Sequence, residues 1–270
     1  MIHETLERIL FPRRVVDPSA SRSALSGKTI LVTGASFGIG RELVELLAPT
    51  GARLLLVART AEKLALVRDR ARALGADADS FPADLRSETD MASVLAWLDG
   101  QPDGVDILVH NAGKSIHRSI LQSQDRYHDF QRTMAINYLA PVRLTLHLLP
   151  RLRQRRGQIL NVSAANVLLP PMGGWAAYQA SKCAFDQWIG SSRLELESMG
   201  VRVSTAYFPL VRTRMLANPA YARMPAMEAS QAAVRIALLL NRGRGDWSPW
   251  WLPVTSMLAR ALPRRLWDRS

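Results

Sequence analysis

Cysteine is almost missing from this sequence of 270 residues: Cys183 stands alone, so neither an intrachain disulfide nor a multi-cysteine zinc centre can form. That usage fits a reducing compartment, and a cytoplasmic location is expected. No apolar run approaches the ~18 residues that suggest a membrane span. A secretory leader is not expected either, because Glu4 and Glu7 stand where a positive region belongs and no apolar stretch of about 7 to 15 residues follows. The histidines, His3, His110, His117, His128 and His147, are scattered, and no His, Cys, Asp or Glu grouping has ligand spacing, so no metal is expected.

Lysine is scarce too. Only Lys28, Lys63, Lys114 and Lys182 contribute to the 35 basic residues, so arginine carries the net charge of +12. Such a balance suits a phosphorylated cofactor, coenzyme A, nucleic acid or an anionic membrane, and equally a solvated arginine surface. The cluster Arg151, Arg153, Arg155 and Arg156 has no recognition motif beside it, so it reads as a solvated helix end and no nucleic acid is expected. A composition of 48% hydrophobic and 21% charged residues is that of a globular chain rather than a disordered one.

Ile2, Leu6, Ile9 and Leu10 recur at helical spacing before Pro12, and residues 1–26 read as an N-terminal extension with a short amphipathic helix. From Lys28 to about Leu240, apolar runs alternate with helical segments. Strands are expected at Thr29–Val32, Arg53–Val57, Ser80–Pro82, Ile107–His110, Gln158–Val162 and Arg202–Tyr207, with helices at Arg41–Ala48, Glu62–Leu74 and Glu88–Leu98. Continuously apolar strands separated by helices pair in parallel and are covered on both faces. Residues 27–240 are therefore expected to form one doubly wound α/β domain of Rossmann type. Within it, Pro209 to Met227 is apolar and methionine-rich, with Met215, Leu216, Tyr221 and Met224 between or beside Pro219 and Pro225. Residues 241–270 read as a C-terminal extension of interfacial or oligomeric character. There Trp247, Trp250, Trp251 and Trp267 interleave with Arg242, Arg244, Arg260, Arg264, Arg265 and Arg269.

Directly after the first strand comes Thr33-Gly34-Ala35-Ser36-Phe37-Gly38-Ile39-Gly40, which opens the first helix of the domain. Glycines at such a bend let the backbone approach a pyrophosphate, whose charge the unpaired amides of the helix N-terminus stabilise. After the second strand, nicotinamide-binding chains commonly place an acid for the ribose 2′-hydroxyl. Here Ala58 stands there, followed by Arg59, a cation for a 2′-phosphate, so NADP(H) is expected over NAD(H). Further on, Tyr178-Gln179-Ala180-Ser181-Lys182 puts a phenol and an ammonium four residues apart on one helical face. A nearby cation favours phenolate over phenol, which equips the tyrosine for general acid or base work.

Together with Asn111-Ala112-Gly113 after the fourth strand and Asn137 in a long helix, these motifs occur in the order and approximate spacing of the short-chain dehydrogenase/reductases, which the sequence resembles from Lys28 to about Leu240. The resemblance implies that Tyr178 transfers the proton and that Lys182 lowers its pKa and holds the nicotinamide ribose. It implies that Asn137 supports a proton-relay water and that Asn111, Ala112 and Gly113 pack beside the cofactor. Gly34, Ser36, Phe37, Gly38, Ile39 and Gly40 would hold the pyrophosphate, Asp84 and Leu85 the adenine. Pro209, Val211 and Thr213 would hold the nicotinamide carboxamide, with Leu210 where many members carry glycine. The family also implies a homodimer or homotetramer.

One position departs from the family pattern. Members usually show two serines after the fifth strand, the second polarising the substrate carbonyl. Here the run is Asn161-Val162-Ser163-Ala164-Ala165-Asn166, and the expected position falls on Ala164 or Ala165. Three readings stay open: a shifted loop brings Ser163 into the catalytic role, Asn166 substitutes as the donor, or the protein is a weak reductase that senses NADP(H). Within the family, Asn111–Ile120, Arg132–Leu149 and Pro209–Met215 resemble the reductase domain of mycobacterial-type fatty acyl-CoA reductases and their stand-alone bacterial relatives. That implies an NADPH-dependent reductase of a long-chain aldehyde, ketone or acyl thioester, with a small ketone or 3-oxoacyl substrate as the alternative. The Trp/Arg-rich extension adds the expectation of contact with a membrane periphery.

Overall fold

Six apolar stretches pair side by side, all parallel, in the order β3-β2-β1-β4-β5-β6. They are β1 (Thr29–Thr33), β2 (Arg53–Ala58), β3 (Asp77–Pro82), β4 (Ile107–His110), β5 (Gln158–Ala164) and β6 (Arg202–Phe208). The computed structural model in which they are seen describes residues 2–216, 221 and 224–261. Alternation along β1 shows why the strands read as unbroken apolar runs: Ile30 and Val32 enter one core and Leu31 the other. On the first side lie α3 (Gly38–Leu47), α4 (Ala61–Ala73) and α9 (Ala229–Arg242). On the second lie α5 (Glu88–Asp99), α7 (Ala140–Gln154) and α8 (Ala176–Ser198). Strand order reverses between β1 and β4, so the connections leave to opposite faces there and open a crevice at the strand C-termini, the usual ligand position in such sheets.

The expected doubly wound sheet is present, with each strand near its expected place. β3 starts three residues earlier than the apolar pattern suggests, because this edge strand contributes Asp77, Ala78 and Asp79 to the β2 pairing while its polar side chains meet solvent. β5 and β6 run on to Ala164 and Phe208, carrying the strand ends into the crevice.

Elements outside the repeating pattern complete the body. The helix expected near the N-terminus is α1 (Ile2–Leu10). A second, α2 (Pro18–Leu25), starts where the Asp17 carboxylate accepts from the Ser19 amide at 2.9 Å. Phe11 and Leu25 belong to the main core, and the Asn241 amide donates to Ser21 Oγ at 2.8 Å. A short parallel pair, β7 (Val211–Arg212) with β8 (Met227–Glu228), brackets the methionine-rich segment. Arg212 pairs with Glu7 of α1, and Glu7 also accepts from the Ala226 amide at 3.0 Å.

Beyond α9 the chain runs along β6, with the Trp247 amide donating to the Thr205 carbonyl at 2.9 Å and the Trp247 carbonyl accepting from the Tyr207 amide at 2.8 Å. It ends in α10 (Leu252–Ala261), tied to α1 by Trp250 Nε1 donating to the Ile9 carbonyl at 3.1 Å. Both flanking stretches thus pack into the body that the sheet organises. Pro219, Arg264, Arg265, Trp267 and Arg269, and the side chains of Leu216 and Arg260, lie outside the described residues. Among the described residues no helix is long and apolar enough to cross a membrane, and no cluster of metal ligands occurs.

Candidate active site

A cleft of about 880 Å³ occupies the crevice. Its first half is built by backbone. Gly34 has φ +68°, and a Cβ there would lie 2.8 Å from Ala112 Cα. At Gly40 a Cβ would strike the Gly34 carbonyl oxygen and come within 2.6 Å of Asn111 Nδ2. The loop can therefore close onto β4 only with glycine at both positions. Phe37 caps α3 with extended backbone and no side-chain hydrogen bond, which leaves the first amides of the helix to the cleft. Asn111 fixes the loop from the other side, donating through Nδ2 to the carbonyls of Thr33 at 3.0 Å and Gly34 at 3.1 Å.

Gly34, Ser36, Phe37, Gly38, Ile39, Asn111, Ala112 and Gly113 all line this half; Gly40 stands behind it. The loop thus fits a dinucleotide pyrophosphate. Farther along, the exposed Arg59 guanidinium forms no hydrogen bond or ion pair among the described residues. Asp84 is already engaged: its carboxylate accepts from Arg86 at 2.5 Å, and that bond holds its pKa below the ordinary carboxylate value, with a smaller contribution from Arg59. Arg59 is therefore available to a second phosphate, while Leu85 offers apolar cover.

Where the halves meet, α8 presents Tyr178 and Lys182 to the cleft. Lys182 is buried, its Nζ donates to the Val162 carbonyl at 2.9 Å, and burial pulls its pKa down to about 8. For Tyr178 the direction is opposite to the sequence expectation. Burial dominates and pushes the phenol up to about 12. The tyrosine is consequently a neutral hydroxyl near neutral pH, the form a proton donor needs.

Asn137 lies in a π-helical turn, Ala135–Leu139, that links α6 (Tyr127–Met134) to α7. Such turns cluster at functional sites. Its side chain does not line the cleft. Instead Oδ1 accepts from the Lys114 amide at 2.9 Å, and Nδ2 donates to the Lys114 carbonyl and to Ser181 Oγ, each at 2.9 Å. Ser181 in turn donates to the Tyr178 carbonyl at 2.8 Å, so Asn137 ties the catalytic turn of α8 to the loop after β4. Behind this, His110 is fully buried, 2.8 Å from Thr145 Oγ1, and burial lowers its pKa to about 3, so it stays neutral.

Ser163 is buried and touches the cleft, but its hydroxyl donates to Asp186 of α8 at 3.4 Å. Asp186 also accepts from the Tyr207 hydroxyl at 3.4 Å. Ala164 and Asn166 line the cleft as well. Gln179, buried beside Tyr178, donates through Nε2 to the Asn166 carbonyl at 2.6 Å and accepts from the Met172 amide at 3.0 Å. Gln179 and Ser181 carry no role in the motif as the sequence presents it; their polar character on the buried side of the helix is the signal that marks them.

The second half is apolar. Leu169, Met172 and Trp175 face Met215, Tyr221 and Met224, with Trp175 and Tyr221 ring centres 5.7 Å apart and Trp175 equally 5.7 Å from Tyr178. Pro209, Leu210, Val211 and Thr213 line the floor, and a Cβ on Gly38 would lie 2.7 Å from Thr213 Cγ2. Leu10 and Phe11 from the N-terminal flank and Trp251 from the C-terminal one close the outer end. The sequence marks the first flank only as a short amphipathic helix and the second as interfacial or oligomeric; helical spacing gives no sign of which cavity a flank walls.

Comparison with known proteins accords with this geometry. A family model described as short chain dehydrogenase matches residues 28–222. The chain is 40% identical over 214 residues to a fatty acyl-CoA reductase of Acinetobacter baylyi, covering 78% of this chain and 72% of that one. It is 38% identical over 218 residues to a fatty acyl-CoA reductase of Mycobacterium tuberculosis, covering 80% and 74%. Among solved structures, a short-chain dehydrogenase from Sphingobium yanoikuyae in complex with NADPH superposes with a TM-score of 0.77 at 26% identity, over 90% of this chain and 96% of that one. With its glycine loop, Tyr178 and Lys182 in one crevice and Asn137 bonded behind them, the chain belongs to the short-chain dehydrogenase family of oxidoreductases.

Proposed function

We propose that the protein reduces a lipid-like carbonyl, a long-chain aldehyde, ketone or acyl thioester, at the expense of NADPH. The observation that carries this reading is one cleft with a glycine-loop half, an apolar half and the Tyr178 phenol between them. The glycine loop and the amides of α3 would hold the pyrophosphate, and Arg59 the 2′-phosphate. Pro209, Val211 and Thr213 would hold the nicotinamide carboxamide. Bound there, the cofactor supplies hydride to the carbonyl carbon. Tyr178 donates its proton to the carbonyl oxygen as that oxygen gains charge, giving the alcohol from an aldehyde or ketone and, from a thioester, a hemithioacetal whose C–S bond then breaks to release the thiol and leave the aldehyde. Lys182, when protonated, stabilises the phenolate left behind, and Asn137 holds the turn that orients both.

Flexible methionines at Met172, Met215 and Met224 suit a hydrocarbon chain. The two fatty acyl-CoA reductases among the relatives support the same class. Exposed Tyr127, Leu139, Leu146 and Leu194 on α6, its π turn, α7 and α8 support a homodimer or homotetramer through those helices. Exposed Ile9, Trp250, Val254 and Met257 on α1 and around α10 support peripheral contact of a cytoplasmic enzyme with a membrane.

The test is NADPH oxidation by the purified protein across aldehydes, ketones and acyl-CoA thioesters of increasing chain length, beside Tyr178→Phe. Turnover that needs Tyr178 and rises with chain length is expected. Saturable NADPH binding without turnover on any of these substrates would overturn the reading in favour of a cofactor sensor.

A further inference from the structure

The reaction needs a second donor on the carbonyl oxygen, because a phenol alone leaves one lone pair of the developing alkoxide unsupported. At the end of β5, where the family's serine is expected, Ala164 turns a methyl group to the cleft. Ser163 has a hydroxyl, but it is spent on Asp186 behind the sheet end. Two residues beyond Ala164, in the helical turn Ala165–Val167, Asn166 lines the same wall.

Its side-chain oxygen is buried without a hydrogen-bond partner, and among the described residues its amide nitrogen has none either. No hydrogen bond within the described residues engages this side chain, so its donor end remains available to a bound molecule. With Oδ1 turned inward, the NH₂ is the end that Asn166 offers to the cleft. The loop that carries it is also anchored to the catalytic helix. Gln179, the neighbour of Tyr178, holds the carbonyls of Asn166 at 2.6 Å and Pro170 at 3.3 Å. An amide donor is thus fixed relative to the phenol through one side chain.

We propose that Asn166 takes over the serine's duty, donating from Nδ2 to the substrate carbonyl oxygen opposite the Tyr178 hydroxyl. The inference rests on the reductase reading above. Ser115 also lines the cleft with a side-chain donor, but it sits on the loop after β4 rather than on the segment that Gln179 anchors.

Two readouts test the proposal, with full-length protein and a soluble medium-chain aldehyde. Asn166→Ala is expected to lower kcat by about 10²- to 10³-fold, the usual loss for one such donor, while NADPH affinity measured by nucleotide fluorescence is retained. Placing the family's hydroxyl back in that background, as Asn166→Ala with Ala164→Ser, is expected to recover at least about tenfold of the loss, since one well-placed hydrogen bond is worth about 1.5 kcal/mol. The second readout does not depend on turnover. The carbonyl stretch of a ¹³C-labelled ketone bound with NADP⁺ should move to higher frequency in Asn166→Ala, as the polarising bond disappears.

The proposal fails if Asn166→Ala keeps its kcat and carbonyl stretch. It fails too if Ser163→Ala or Ser115→Ala alone produces the shift, or if NADPH affinity falls and no donor at either position recovers activity, which makes Asn166 structural. If the wild type never oxidises NADPH, the reductase reading has failed first, and the inference with it.

Discussion

The two halves of the cleft are built by different means. In the half proposed to take the cofactor, the wall is built by backbone: Gly34 and Gly40 leave no room for a Cβ, and Asn111 staples their loop to β4. In the substrate half, side chains drawn from the loop after β5, the segment around Met215, and the two flanks converge on one space. Backbone recognition constrains the sequence to particular residues at particular spacings. Side-chain walls constrain only volume and polarity, which many sequences satisfy.

Two glycines measure that difference, one in the glycine loop and one beside the cleft-lining Met172, and the largest expected effect lies at the first. Gly34→Ala forces an L residue into φ +68° and brings its methyl within 2.8 Å of the Ala112 backbone. A loss of NADPH binding is expected, with a stability loss of about 1–3 kcal/mol or more by denaturant titration. Gly173, in the loop before α8, has open space around it and no left-handed backbone. Gly173→Ala should leave binding intact and change stability by no more than about 0.5–1 kcal/mol, in the stabilising direction through the unfolded chain. Equal sensitivity at both positions would break the distinction.

At the junction, Tyr178→Phe should lower kcat by about 10²- to 10⁴-fold with NADPH affinity retained, since only the proton donor is removed. Lys182 separates function from stability. Burial lowers its pKa from 10.5 to about 8, so the charged form is disfavoured in the folded protein. The resulting destabilisation is complete below pH 8, shrinks as pH rises from about 8 to 10.5, and is absent above. Lys182→Met should therefore be inactive yet more stable at pH 7, by an amount on the order of 3 kcal/mol, an advantage that vanishes near pH 10.5. A variant that is less stable at pH 7 would show that the bond to the Val162 carbonyl outweighs the burial of charge.

The same distinction explains what could be read from the sequence. Glycine spacing, an arginine in place of an acid after β2, and Tyr178 four residues before Lys182 are local patterns, and all of them lie in the crevice. The sheet was legible because its strands are continuously apolar; the polar edge of β3 was cut short for the opposite reason. What was not legible depends on long-range packing. Phe11 reaches the cleft from an N-terminal stretch that registers only as an amphipathic helix and a proline, and Trp251 from a tail that registers only as tryptophan and arginine. Ser163 shows the limit most sharply. The family resemblance offers it as a carbonyl-polarising hydroxyl if the loop is shifted, but whether it faces substrate or Asp186 is set by α8, which the local sequence does not specify.

Arg59 lies on the cofactor side but acts through a side chain, so a moderate effect is expected. Arg59→Ala should weaken NADPH binding by roughly five- to tenfold, less at high salt because the guanidinium is exposed, and leave NADH binding unchanged. An equal loss for both nucleotides would remove the 2′-phosphate from its role.

The smallest effect is expected where the wall is most adaptable. Met224 is 44% exposed at the rim of the apolar half, so much of its side chain already meets water. Truncating it removes only part of the ~0.8 kcal/mol that each buried methylene of a chain can gain, and the neighbouring Met215 can move into the space. Met224→Ala should therefore lower kcat/KM by about threefold for long-chain substrates and leave short-chain ones unchanged. A loss independent of chain length would place Met224 against the reacting carbon rather than along a hydrocarbon. Met224 would then belong with the glycine loop as a part whose exact residue matters, and the two halves of the cleft would differ less than their construction suggests.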